Sequence, residues 1–238
     1  MQRTWLVTGT NRGIGLEYVR QIAASGDKVI ATARKPAEAD ELNTVKSQFP
    51  DAVEVQELDT GDAQSIAAFA DRLDGRPIDI LVNNAGLYGG SWSTDSERQT
   101  PLMMDYDLWE EIMKVNVMGP FRLIVALLPN LVASDRKLVV NMSSDLGSIT
   151  NNKHGQSHAY RSSKAALNMI TRGLAIDLAE QDVSVISMAP GWTKTDLGGD
   201  GAQWETPDSV TRQIKVIQAA TPDQSGGFLN LLGEEVAW

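Results

Sequence analysis

Seven short runs of β-branched and apolar residues recur along the chain, at Trp5 to Thr8, Lys28 to Ala33, Val53 to Leu58, Ile78 to Asn83, Lys137 to Met142, Val183 to Met188 and Gly227 to Leu231. Their hydrophobicity is continuous rather than alternating, which predicts strands covered on both faces. Helical patterns fill the intervals: Ile14 to Ser25, Ala37 to Gln48, Ala63 to Leu73, Asp107 to Val132, His158 to Glu180 and Pro207 to Ala219. Regular alternation of strand and helix leaves one economical architecture, an α/β fold with a single doubly wound parallel sheet of about seven strands. Ligands of such sheets lie beyond the carboxyl ends of the strands, so the residues just after each run are the ones to read for function.

The rest of the chain sets bounds on that reading. Its 238 residues show no linker or composition shift, so one domain is expected over 1–238. No apolar run is long enough to span a bilayer, and the first strand begins within a few residues of Met1, leaving no room for a leader segment. The absence of cysteine removes disulfides and thiolate chemistry and fits a reducing cytoplasm. A formal net charge of -10 argues against nucleic acid and anionic membrane as partners. His154 and His158 have no neighbouring carboxylate motif or further ligands, so they read as surface or capping residues and no metal is expected.

After the first run comes Thr8-Gly9-Thr10-Asn11-Arg12-Gly13-Ile14-Gly15. A glycine-rich turn between strand and helix brings backbone N–H groups close to a pyrophosphate at the helix N-terminus, although glycines in a tight turn also serve structure alone. The second run ends Ala33-Arg34, where a chain binding NAD usually carries an acid for the ribose 2′-OH. Arg34, with Arg12 in the turn, suits a 2′-phosphate; the bland alternative is two solvated arginines. Asp59, after the third run, is placed for an adenine or for a loop or helix cap. Asn83-Asn84-Ala85-Gly86 closes the fourth run with small residues that let the backbone approach a ligand.

Tyr160 and Lys164 are four residues apart in a helical pattern, so phenol and ammonium share one face. A tyrosine titrates near pH ~10, and making it a proton donor near pH ~7 asks for roughly 4 kcal/mol of differential stabilisation. One lysine is too little. A second positive charge is needed, and an oxidised nicotinamide ring would be one.

The motifs TGxxxGIG, NNAG, YxxxK and the Pro190-Gly191 turn, in this order over nearly the whole chain, resemble the short-chain dehydrogenase/reductase superfamily. Tyr160 to Met169 (YRSSKAALNM), the segment Ser225-Gly226-Gly227-Phe228 and Trp238 are similar to the C-factor-like carbonyl reductases within it. The resemblance implies a Rossmann-fold enzyme using NADP(H), with Tyr160 as proton donor and Lys164 lowering its pKa and binding the nicotinamide ribose. Ser144 would hydrogen-bond the substrate carbonyl, and the Asn116 backbone would hold a water in the proton relay. Pro190, Gly191, Thr193 and Thr195 would grip the carboxamide and phosphates. Ser144 lies sixteen residues before Tyr160, wider than the family's common spacing, so Ser143 stays open as the alternative.

The expected activity is therefore reduction of a ketone or aldehyde by NADPH. A non-catalytic NADP(H)-binding signalling or sensor protein and an NAD-dependent alcohol dehydrogenase are the rivals. Loops from Leu87 to Tyr106, Leu146 to Ser157 and Trp192 to Trp204 should wall an apolar substrate pocket, using Tyr88, Trp92, Met103, Met104, Leu146, Trp192 and Trp204. The pattern at Asp107 to Val132 has more than one apolar face, with Ile112, Val115, Phe121, Leu123, Ile124, Val125 and Leu128 among others, and a homodimer through it and His158 to Glu180 is expected.

Overall fold

The computed structural model describes residues 2–91 and 95–238. Among them lie seven strands: β1 (Thr4–Val7), β2 (Lys28–Ala33), β3 (Val53–Glu57), β4 (Ile80–Asn83), β5 (Leu138–Met142), β6 (Ser184–Ala189) and β7 (Phe228–Asn230). They form one sheet in the order β3-β2-β1-β4-β5-β6-β7, every pair parallel. The helices are α1 (Gly13–Ala24), α2 (Asp40–Gln48), α3 (Ala63–Leu73), α4 (Tyr106–Met113), α5 (Gly119–Ala126), α6 (Leu128–Val132), α7 (His158–Asp177) and α8 (Thr206–Ala219).

Neighbouring strand residues point to opposite faces, and both faces are dry. Val7, Val82, Val140 and Ile186 face α1, α2 and α8 through Leu16, Ile22, Leu42, Val45, Val210 and Ile217. Leu6, Leu81, Val139 and Val185 face α3, α5, α6 and α7 through Ile66, Phe69, Leu123, Leu131 and Leu174. This is why the runs read as continuous hydrophobicity: alternate residues serve two cores, each fully buried side chain contributing roughly 1.5 to 3 kcal/mol.

The sheet reverses its winding between β1 and β4, which opens a crevice at their carboxyl ends. That crevice is where the glycine-rich turn and the Asn84-Ala85-Gly86 segment meet.

The expected helix from Asp107 to Val132 is instead interrupted twice. The chain forms α4, a π turn at Lys114–Met118, then α5 and α6, which divide at Leu127. Pro120 and Pro129 account for the restarts, because proline fits the first turn of a helix and not its interior. The π turn carries Asn116, whose buried side chain bonds a loop rather than lying on a helix surface. α7 also ends earlier than expected, at Asp177, followed by a short turn at Ala179–Gln181. No helix among the described residues is long and apolar enough to cross a membrane.

Candidate active site

The turn after β1 closes against the segment after β4. Gly9, at φ +67°, lies so near Ala85 that an added Cβ would sit 2.9 Å from its Cα, and a Cβ on Gly15 would strike the carbonyl oxygen of Gly9. Asn84 Nδ2 donates to the carbonyls of Thr8 (2.9 Å) and Gly9 (3.1 Å), and Ala85 N–H donates to Thr8 Oγ1 at 2.9 Å. The asparagine side-chain amide therefore staples the turn, while the residue also lines the cleft. What the turn presents is backbone. Helix α1 has no side-chain cap at Arg12 and no acid in its first turn, so the N–H groups at its start are free to meet an anion.

A cleft of about 1230 Å³ runs along this end of the sheet. Gly9, Asn11, Arg12, Gly13, Ile14, Arg34, Asp59, Ala85, Gly86, Pro190, Gly191, Thr193 and Thr195 all line it, as do Asn84, Ser144, Tyr160 and Lys164. Asp59 also holds its own loop, accepting from Gly61 N–H at 2.8 Å, so it is at once a turn residue and part of the wall. Arg12 pairs with Asp196 at 2.8 Å across the mouth of the cleft, with both side chains largely exposed. Arg34 is exposed in the wall and makes no hydrogen bond or ion pair to another described residue. Of the two arginines, it is the one whose donors are uncommitted.

At the other end of the cleft stand Tyr160 and Lys164, one turn apart on α7 and both buried, at 8% and 4% exposure. Lys164 Nζ donates to the Met142 carbonyl at 2.7 Å and lies 5.5 Å from the centre of the Tyr160 ring. Burial pushes the Tyr160 phenol up to about 12; a hydrogen bond with Ser144 acts in the opposite direction, and neighbouring Tyr88 adds to the rise. Burial likewise takes the Lys164 ammonium down to about 8. Lys164 alone therefore does not bring the phenol toward neutrality. Desolvation dominates, and the need for a further positive charge stands.

The two serines after β5 separate clearly. Ser143 is buried and its hydroxyl donates to Asn168 Oδ1 at 2.6 Å, although the residue also lines the cleft. The Ser144 hydroxyl accepts from Leu146 N–H at 3.2 Å and lies near enough to the Tyr160 phenol to lower its pKa. Asn116 does not line the cleft. It stands behind it, accepting from Leu87 N–H at 2.7 Å and donating to the Leu87 carbonyl at 2.8 Å and to Ser163 Oγ at 3.1 Å.

The substrate end differs from expectation in its walls. Tyr88, Leu146 and Trp192 line the cleft, but Met103, Met104 and Trp204 do not. Met103 is exposed, Met104 packs on the small cluster of Leu108, Ile112 and Ala159, and Trp204 lies against Gly191 with Arg212 over its ring at 4.9 Å. Trp92 falls outside the described residues. Sequence reading missed Gln99, fully buried between Tyr88 and Tyr160; its surroundings are polar loop, and no spacing marks it. Among the described residues no group of His, Asp and Glu is gathered that would hold a metal ion.

The family model described as short chain dehydrogenase matches residues 3–206, and the chain belongs to that family. Among curated proteins it is 37% identical over 171 residues to "C-signal" of Myxococcus xanthus, covering 72% of this chain and 99% of that protein. Among solved structures it superposes on the carbonyl reductase Sniffer of D. melanogaster with a TM-score of 0.90 at 29% identity, covering all of both chains. The NADPH-bound carbonyl reductase from chicken fatty liver also gives a TM-score of 0.90, at 33% identity over 100% of this chain and 99% of the other.

Proposed function

We propose that this chain is an NADPH-dependent reductase of ketones or aldehydes, a single catalytic domain with Tyr160 as its proton donor. The observation that carries the reading is the meeting of Ser144, Tyr160 and Lys164 in one open cleft, with Lys164 Nζ 5.5 Å from the centre of the Tyr160 ring. The walls suit the cofactor: an uncapped helix start for the pyrophosphate, close-packed glycines beneath it, and uncommitted Arg34 where a 2′-phosphate would lie. Ala33 in place of an acid disfavours NAD.

Bound NADPH would supply a hydride to the carbonyl carbon. Ser144 donates a hydrogen bond to the carbonyl oxygen and Tyr160 transfers its proton there, giving the alcohol. Lys164, anchored on the Met142 carbonyl, would hold the nicotinamide ribose and adds positive charge beside the Tyr160 ring. Asn116 fixes Leu87 with its side chain, while its main chain, in a π turn, would hold the water that returns a proton to Tyr160. Tyr88, Leu146 and Trp192 favour an apolar carbonyl compound.

The test is NADPH absorbance against a panel of aryl ketones, aldehydes and anionic keto acids. Turnover of the apolar members is expected; no turnover of any, or preference for the acids, refutes the reading. A signalling role is the second reading, favoured by the likeness to C-signal, and NADPH binding without turnover is its signature.

The chain is also proposed to work in the cytoplasm as a homodimer. Met118, Phe121 and Val125 form an exposed apolar stripe on and beside α5, and Met169 and Ile176 another on α7. Light scattering at micromolar concentration is expected to give twice the 25.8 kDa chain mass, and a monomer would exclude pairing through these helices.

A further inference from the structure

Tyr160 is the third residue of α7, so its N–H is among those that a helix start leaves without an internal partner. The usual remedy is a side chain at the cap position. Ser157 holds that position but makes no such bond: its backbone is left-handed, at φ +46°, and its hydroxyl is engaged with the Tyr88 hydroxyl at 2.9 Å. Gly155 and Gln156, at φ +62° and +58°, bring the chain into that same left-handed turn. A residue 61 positions earlier fills the gap. Gln99 Oε1 accepts from Tyr160 N–H at 2.8 Å, and Gln99 Nε2 donates to the Tyr88 carbonyl at 2.7 Å.

The partners fix the amide's orientation, because an N–H can only donate and a carbonyl can only accept. The Gln99 side chain is wholly buried, with 0% exposure. Its two bonds join the helix that carries the phenol to the loop that walls the substrate end. The Tyr88 ring then meets the Tyr160 ring edge-on, with centroids 5.2 Å apart. Leu87, next in the chain, is held on its other side by Asn116. The segment facing the substrate is thus clamped from two directions, and Gln99 is the clamp that also touches the proton donor's backbone.

We propose that Gln99 is a positioning residue for Tyr160. It supplies the cap that α7 lacks and sets the phenol against the Tyr88 wall, without contacting cofactor or substrate. The inference rests on the reductase reading given above, in which Tyr160 delivers the proton.

Two variants test it. Gln99→Met keeps the length and loses both bonds. Gln99→Glu keeps both while its carboxyl is protonated, since a neutral acid donates to Tyr88 and accepts from Tyr160, and loses the donor once ionised. In Gln99→Met, kcat is expected to fall roughly tenfold or more with NADPH affinity held within about twofold. In Gln99→Glu, kcat is expected near wild type at low pH and to fall as pH rises, in a range where wild type is flat. A folded Gln99→Met that keeps kcat within about twofold of wild type overturns the proposal, as does a kcat loss matched by the loss of NADPH affinity. If Gln99→Met does not fold, the pH dependence of Gln99→Glu decides alone, and a profile parallel to wild type overturns it.

Phenolate absorbance, isolated by subtracting a Tyr160→Phe protein, provides a readout independent of turnover. A midpoint in Gln99→Glu higher than in wild type supports the positioning role, and an identical midpoint counts against it. Should wild type reduce no carbonyl at all, the reductase reading fails while this titration still reports on Gln99.

Discussion

On the β1 side of the cleft the surface offered to a ligand is mostly main chain: the uncapped start of α1, the turn at Gly9 and the segment Ala85-Gly86. Toward β5 and β6 it is mostly side chain, with Ser144 and Trp192 from the loops after those strands, Tyr160 and Lys164 from α7, and Tyr88 from the loop after β4. The first half offers an anion a geometry that any chain with small residues at the right spacing can adopt. The groups of the second half are desolvated: Tyr160 is driven up and Lys164 down by burial. If this division is correct, substitutions on the two sides must separate binding from turnover.

The largest effect belongs to Tyr160→Phe. It removes a transferable proton and little volume, so kcat is expected to drop roughly 10²- to 10⁴-fold while NADPH affinity stays nearly unchanged. Steady-state kinetics with fluorescence titration measures both. A variant that kept most of its kcat would move the acid elsewhere and dissolve the contrast between the two halves.

The same contrast explains what a reader of the sequence sees. The glycine turn and the Tyr160/Lys164 pair are legible because their spacing is local, and the strands because both of their faces are dry. Even the breaks at Pro120 and Pro129 were visible in the sequence, though a continuous apolar pattern masks them. Gln99 was not visible, since its bond to Tyr160 spans 61 positions and its neighbours carry no period. Met103, Met104 and Trp204 show a different limit. Following a strand end places a loop at the correct end of the sheet, but it does not decide whether a side chain turns to the cleft, to solvent or to another loop. The choice between Ser143 and Ser144 is of the same kind, since spacing does not show that the Ser143 hydroxyl is engaged with Asn168.

Burial of Lys164 sharpens the comparison through stability. Its pKa is lowered from 10.5 to about 8, so the folded protein binds its proton less readily than the unfolded chain. The cost of burying the charge is present in full below about pH 8 and disappears as pH rises to 10.5, a change of about 3 kcal/mol. Tyr160 acts oppositely and later, since its raised pKa removes stability between 10 and about 12. Lys164→Met lacks the lysine contribution. Relative to wild type it is expected to be most stabilised near neutral pH, with that advantage shrinking by about 3 kcal/mol between pH 8 and 10.5 in urea unfolding. A difference that stays constant over this interval would mean that Lys164 is better solvated than its 4% exposure indicates.

The smallest effect lies on the other side of the cleft. Arg34 is exposed and has no partner among the described residues, so replacing it by alanine breaks no internal bond and should leave stability nearly untouched. Toward a 2′-phosphate its guanidinium offers charge-assisted hydrogen bonds, which are worth roughly 1.5 to 3 kcal/mol each. Arg12 is less free to compensate, because Asp196 already pairs with it at 2.8 Å; that exposed pair is itself weak, so some compensation remains. Arg34→Ala is therefore expected to weaken NADPH binding about tenfold or somewhat more, while NADH binding, which involves no such phosphate, changes little. Salt gives a second handle, since added salt should erode wild-type NADPH affinity more than that of the variant. Fluorescence titration of both cofactors in both proteins measures all four affinities. Equal NADPH and NADH affinities in wild type, or an unchanged preference in Arg34→Ala, would show that the cofactor half does not discriminate through this residue, and recognition there would rest on the main chain alone.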